Sequence, residues 1–488
     1  MTIKRRQLLK VAGMVSAGVF GPVGLANAVE PPSKWDETFD VIVVGAGGAG
    51  LAAAAEASSR GAKTLVLEKM AFPGGNTIVS GGGFNAADPE QIKKLGLEDS
   101  PELHAKQSLG AGDYRGNPDL MLTLAKNAPK ALEWLKSLGC EFNSGVYQIY
   151  GGLWPRAHTP VKPAGQGYIS TLLSACKKNG AVIKTRVKVT GLVRENQLSG
   201  RVLGVEAETA GKKVYFSAKR GVVVASGGFS ANRELRSLYD PRMKDLTTTN
   251  QPGATGDLVN PLIDIGAQMV GMDYIQCIPG KVPGQKGVSS GWINRVAGFI
   301  FVNENGERFI AEDQRRDVLR DAVLSQPHQI AFPVMDSRGF AALPEGPKAK
   351  AQKCLELGES YSADTLEELA QKMGVPSAIF VKTVETYNKG VSSKKDVFGR
   401  GVNVLTDTIE KPPFYAGRIS MSVHHTMGGV CIDTHARCLD REGKVIPGLY
   451  AAGEVTGGIH GTNRVGGNAI ADIFVFGRIA GESAAERA

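Results

Sequence analysis

Asp40-Val41-Ile42-Val43-Val44-Gly45-Ala46-Gly47-Gly48-Ala49-Gly50, continued by an alanine-rich run and then by Thr64-Leu65-Val66-Leu67-Glu68, decides the fold of this chain. Val41 to Val44 reads as a short buried strand, Gly45, Gly47 and Gly50 as a tight turn, and Leu51 to Arg60 as a helix. That is a βαβ unit. The first glycine permits the turn, the second lets backbone approach a pyrophosphate, and the third lets helix pack on strand, with the helix N-terminus facing the phosphate charge. Glu68, closing the second strand, is placed for ribose hydroxyls. A G-x-G-x-x-G alone is weak, but strand, helix and acid fall here at the required spacing, so the stretch predicts an α/β dinucleotide site. The competing reading is a glycine-rich turn in another α/β protein.

At 488 residues the chain is long enough for two or more domains. Its net charge of +9 is spread without a basic block, which gives no nucleic-acid footprint and mildly favours an acidic partner or anionic substrate. Six cysteines lie far apart with no C-x-x-C, a pattern that argues against a zinc site or covalent haem, and no metal is expected. Lys4-Arg5-Arg6-Gln7-Leu8-Leu9-Lys10, the apolar run Val11 to Leu25 and Ala26-Asn27-Ala28 have the layout of a twin-arginine export signal over 1–28. A periplasmic mature protein from Val29 is the expectation; an uncleaved amphipathic anchor is the alternative. No later segment is apolar for long enough to span a bilayer, so stable membrane insertion is not expected.

Pro73-Gly74-Gly75-Asn76-Thr77 and Ser80-Gly81-Gly82-Gly83-Phe84-Asn85 place backbone flat against a ligand, unless they serve turn chemistry alone. Periodicity predicts helices over 118–138 and 165–178, and strands over 182–189, 202–209, 214–218 and 221–225. The order of motifs then resembles one family. The βαβ unit with Glu68, G-G-N-T, Val222-Val223-Val224-Ala225-Ser226-Gly227-Gly228-Phe229 and Thr249-Asn250-Gln251-Pro252-Gly253-Ala254-Thr255-Gly256-Asp257 are similar to the flavoprotein of the fumarate reductase and succinate dehydrogenase superfamily. His424-His425-Thr426-Met427-Gly428-Gly429 and the run from Gly453 to Ile470 resemble its soluble branch, the flavocytochrome c type fumarate reductases and the urocanate and unsaturated-acid reductases.

The resemblance covers nearly all of residues 37–488 and implies a Rossmann-like FAD-binding domain (29–272 and 426–488) with an inserted α+β clamp, or capping, domain (273–425). Carried over by position, FAD is held by Gly45, Gly47, Ala49, Gly50, Glu68, Asn76, Thr77, Gly81, Gly82, Val187, Asp257, His425, Glu454, Ala469 and Ile470. Covalent relatives have His where this chain has Asn76, so noncovalent FAD is implied. Only the export signal precedes the flavin motifs; the haem domain of flavocytochromes is not there, which implies a separate electron donor such as a periplasmic cytochrome c.

Read alone, Arg315-Arg316 amid acidic residues is a solvated salt-bridge cluster and His424 a packed histidine. The resemblance instead makes Arg316 the proton donor, Arg295 its relay, and His424, Arg464 and the backbone at Gly467 the substrate's holders. Two departures bear on the substrate. Ile278 replaces a His that binds a second carboxylate, and Trp292 replaces a Glu of the proton route and is expected to narrow the pocket. The implied activity is reduction of the C=C bond of an acrylate, methacrylate or arylacrylate. The alternatives are a fumarate reductase, a ketone desaturase of the same superfamily, or a flavin electron-transfer protein without catalysis.

Overall fold

The protein's structure, a computed structural model, describes residues 28–149, 151–163, 165–293 and 296–486. Except for Ala28, the export signal lies outside the described residues, as does Arg295. β1 (Glu37–Val44) runs parallel to β2 (Thr64–Glu68) on one side and to the strand Lys212–Val224 on the other. Val182–Thr185 extends the sheet beyond β2, and Val445–Ala451 followed by Arg437–Leu439 extends it beyond Lys212–Val224. β1 therefore sits where the strand order reverses, and the carboxyl ends of its two neighbours open on one crevice.

α1 (Gly48–Ser59) begins three residues before the apolar helical run, because Gly48 to Gly50 already turn helically after extended Gly47. The glycines divide the work as expected. Gly45 holds φ +103° against Ala225, and a Cβ on Gly50 would lie 1.9 Å from the Gly45 carbonyl oxygen. The two strands expected at 214–218 and 221–225 are one continuous strand. β1 pairs parallel with it both before and after Lys219-Arg220, while on its other edge the antiparallel Ser199–Thr209 gives way to the parallel Val445–Ala451, so Lys219-Arg220 marks a change of partner on one edge and no break. Arg220 finds the Ala485 carbonyl at 2.7 Å and Asp40 at 3.6 Å.

One apolar cluster joins β1, α1, the parallel sheet and the helix Asn468–Ala485. Two further clusters are built mainly from residues 273–425. The second draws Phe229, Met243, Leu246 and Val259, all before residue 273, onto Trp292, Phe301, Leu319 and Met421. The third fills the space between an antiparallel four-stranded sheet (Ile300–Val302, Phe332–Met335, Phe414–Ala416, Tyr361–Ala363) and the helices Leu366–Met373 and Ser377–Ser393. Between the sheets, Ile275–Gly280 pairs antiparallel with Ser420–Thr426. This last pair carries side chains to the site. Among the described residues no helix is long and apolar enough to cross a membrane, and no group of three or more His, Cys, Asp or Glu is placed to hold a metal ion.

Candidate active site

The crevice at the carboxyl ends of the parallel strands opens as a cleft of about 930 Å³. Gly45, Gly47, Ala49, Glu68, Asn76, Thr77, Val187, Asp257 and Glu454 all line it. It continues through Asn76, Thr77, Glu454 and Ile473 into a second cleft of about 910 Å³, lined by Gly81, Gly82, His425, Ala469 and Ile470 together with Arg316, His424, Arg464 and Gly467. Of the residues expected at the cofactor, Gly50 alone lines neither space; its place against Gly45 is structural.

The first cleft fits a dinucleotide chemically. Glu68 accepts the Ala46 and Met70 amides, both at 2.8 Å, one on each carboxylate oxygen, which leaves each oxygen further lone pairs for ribose hydroxyls. Ser226 Oγ is buried on the same wall with no hydrogen-bond partner, and a buried polar atom left so costs about 1–3 kcal/mol until a ligand satisfies it. Gly47 has nothing nearer its missing Cβ than Gly75 Cα at 3.9 Å, so backbone can approach a phosphate there. Asn76 Oδ1 accepts the Gln251 amide at 2.9 Å. A carboxamide is no nucleophile, so FAD is expected to leave the polypeptide on acid or heat denaturation, checked by flavin fluorescence in the supernatant against that remaining with the denatured chain.

In the second cleft the decisive group is Gln276, on the strand Ile275–Gly280. Its Oε1 accepts from Arg464 Nη2 at 2.8 Å and from Arg316 Nη1 at 3.1 Å, while its Nε2 donates to Asn463 Oδ1 and to the Arg464 carbonyl. Two arginines 148 positions apart, both nearly buried, thus converge on one neutral oxygen. Arg464 has no carboxylate within ion-pair distance among the described residues, and its Nε is buried without a partner. Burial, and then the like charge of Arg316, lower its pKa to about 9. Gly151 leaves room for Arg316, since a Cβ there would fall 2.5 Å from the guanidinium Nε.

His424 is half-buried across this cleft. Dry surroundings and then Arg464 and Arg316 hold its pKa well below the usual histidine range, so it is neutral at pH 7. Thr249 Oγ1 lies 2.7 Å from its Nδ1, and with the hydroxyl donating there, Nε2 carries the proton. Asn250 holds the His424 carbonyl at 3.0 Å. Behind it, His425 lies 3.8 Å from Glu454, whose pKa burial raises, and Glu454 accepts the Thr426 amide at 3.0 Å.

Sequence reasoning therefore reached Arg316, His424, Arg464 and Gly467 but not Gln276, Thr249, Asn250 or Ile149, all of which touch these residues or line the cleft. A signal for Gln276 existed: it is the one amide in the apolar strand Ile275-Gln276-Cys277-Ile278, and a buried polar residue in such a run asks for a partner. Trp292 differs from expectation. It is fully buried against Gly417 and Phe340 in the second apolar cluster and does not narrow the cleft. Ile278, half-buried opposite Ser422, does not line the cleft either; the apolar walls there are Val79, Ile149, Ile470 and Ile473.

The FAD binding domain family matches residues 40–470. The chain belongs to this family. It is 39% identical over 93% of its length to a probable fumarate reductase, Ifc3, of Shewanella frigidimarina, 76% of which is covered. To the acrylate reductase flavoprotein subunit of Shewanella woodyi it is 32% identical over 98% of this chain and 97% of that one. The solved open conformation of a flavocytochrome c3 fumarate reductase superposes with TM-score 0.77 at 34% identity, over 99% of this chain and 81% of the other. The protein is an FAD-dependent oxidoreductase of the fumarate reductase type, and the fold is that of the family's flavoprotein.

Proposed function

We propose that the protein reduces the C=C bond of an α,β-unsaturated monocarboxylate, of the acrylate, methacrylate or arylacrylate type. The observation that carries this reading is the convergence of Arg464 and Arg316 on Gln276 beside neutral His424, a cationic pocket whose charge asks for one carboxylate. Arg464 and the Nε2–H of His424 take that carboxylate, an arginine fork and a neutral donor side by side. Charge drawn into them polarises the conjugated double bond and makes its β-carbon electrophilic. FAD, which Glu68 and the turn at Gly45 and Gly47 in the first cleft and Gly81, Gly82, Ala469 and Ile470 in the second would hold, would supply the hydride for that carbon when reduced.

Arg316 delivers the proton to the α-carbon, with Gln276 fixing its guanidinium. Repulsion between two close guanidinium groups disfavours both being charged, which eases proton loss in a site that excludes water. Arg295, outside the described residues, keeps its proposed place as the relay to Arg316. Electrons reach the flavin from a separate carrier of the cytochrome c class, and the twin-arginine signal delivers the protein to the periplasm. Replacing Arg5 and Arg6 together with Lys is expected to retain the protein in the cytoplasm with its leader attached, read by fractionation and by the mass of the chain; normal delivery would refute the export reading.

The cleft also sorts acids. Its described lining holds two cations, Arg316 and Arg464, and both already face one anchoring point, whereas the rest of the lining includes the apolar Val79, Ile149, Ile470 and Ile473. A methyl group buried there gains about 0.8 kcal/mol, while a second carboxylate left unpaired costs several. The second effect is larger, so rejection of dicarboxylates dominates. The expected result is a higher kcat/KM for acrylate, methacrylate or cinnamate-type acids than for fumarate, measured with a reduced dye as donor. Relatives named fumarate reductases make fumarate the control that matters, and preference for it over every monocarboxylate would overturn this specificity.

A further inference from the structure

We propose that Asp113, a residue outside both clefts, is a positioning residue that sets Arg316 against Arg464 by gripping the segments that carry them. This rests on the function proposed above. Asp113 sits in the turn after the helix Pro101–Ala111, on the cofactor side of the cleft, with φ +55°. Its two carboxylate oxygens accept from Arg315 Nη1 at 2.7 Å and Arg315 Nη2 at 2.9 Å, and one of them also accepts from Thr462 Oγ1 at 2.5 Å.

Each donor lies next to a residue of the site. Arg315 is the N-cap of the helix Arg316–Leu324, so its neighbour in sequence is the proposed acid. Thr462 precedes Arg464 by two residues, and Asn463 between them donates to the Ala111 carbonyl at 3.3 Å. Gln276 closes the other side by joining Arg316 to Arg464. The result is a ring, Arg315 to Asp113 to Thr462 to Arg464 to Gln276 to Arg316, that ties the clamp to the cofactor domain. Asp317 also holds Arg315, but from the same helix, so it steadies the side chain without bridging the two domains. Within the ring Asp113 is the carboxylate that spans the gap.

Arg315 and Thr462 keep the Asp113 carboxyl ionised, with a pKa lowered to about 2, so salt is the variable that loosens it at working pH. Side-chain exposures of 33% for Arg315 and 48% for Asp113 leave the pair open to screening. A half-exposed ion pair shifts a closed population by no more than about fivefold, and that is the size of the effect expected.

The test uses the FAD-loaded full chain. Asp113→Ala, and Asp113→Asn as a variant of similar volume, are expected to lower kcat/KM for the unsaturated acid about fivefold at low ionic strength while FAD content and reduction by dye stay at wild-type levels. Asp113→Glu should recover part of the loss. Wild-type activity should fall toward that of Asp113→Ala as salt rises, whereas the variant's should not. Hydrogen exchange across Arg316–Leu324, a readout independent of turnover, should quicken in the Ala and Asn variants. Unchanged exchange with an unchanged salt slope overturns the proposal even if the acid is reduced. Faster exchange in a protein that reduces no unsaturated acid upholds the ring and instead refutes the function on which its catalytic meaning rests.

Discussion

Arg316→Ala is expected to lower turnover of the unsaturated acid by about 10²- to 10⁴-fold, the usual weight of a positioned general acid. FAD should remain bound and reducible by dye, because Arg316 is assigned to the proton and the walls around Glu68 and Gly47 in the first cleft are untouched. The substitution has a second, less obvious consequence. Arg316 is one cause of the lowered pKa of Arg464, so its removal should move the loss of carboxylate binding to higher pH than in the wild type. Binding of a saturated analogue such as propionate, followed from pH 7 to 11 by flavin absorbance, reads this directly. In the wild type, affinity should fall as pH rises through about 9, since only protonated Arg464 attracts the anion and burial already draws its pKa down to that value. A loss in turnover below about tenfold, roughly 1.4 kcal/mol, would show that Arg316 is not the acid.

Arg464→Ala should have an effect of different shape. Truncating one partner of a buried, hydrogen-bonded charge pair costs about 2–5 kcal/mol, so kcat/KM should fall by roughly 30- to 4,000-fold. Both binding and the chemical step are affected, because the guanidinium holds the carboxylate before reaction and takes up charge during it. Stability should not suffer in proportion. Arg464 has no carboxylate within ion-pair distance among the described residues, and removing it also ends its repulsion with Arg316. Thermal unfolding of the ligand-free variant at or above the wild-type midpoint, with propionate no longer raising it, is the expected pair of results.

The central βαβ unit was legible because its chemistry is local. Turn, apolar strand and acid lie within 29 positions, and Gly45 and Gly50 answer to contacts that geometry forces, as Gly50 does against Gly45. The site was legible only through motif resemblance, since nothing in composition or periodicity joins Arg316 to Arg464. Gln276 joins them, but the motif resemblance marks Ile278, two positions along the same strand, and gives Gln276 no role. Thr249 and Asn250 stand inside the motif that carries the resemblance, which assigns them no role, whereas their side chains fix His424. Trp292 misled for a physical reason. A substitution aligned with a polar site residue can turn the side chain into the nearest apolar core, and Phe340 and Gly417 offered that core. The merged strand Lys212–Val224 shows the same limit, because charged residues where a strand changes partner resemble a turn in sequence.

The most direct measurement is single-turnover reoxidation. The protein is reduced anaerobically by a stoichiometric dye, mixed with acrylate, methacrylate, cinnamate or fumarate, and the return of oxidised flavin absorbance is timed while the products are identified. The account predicts rapid reoxidation by at least one monocarboxylate with formation of its saturated acid, slower reoxidation by fumarate, and reoxidation slowed about 10²- to 10⁴-fold with every acid in Arg316→Ala. Flavin that stays reduced with every acid, or an Arg316→Ala protein that reoxidises at the wild-type rate, would contradict it.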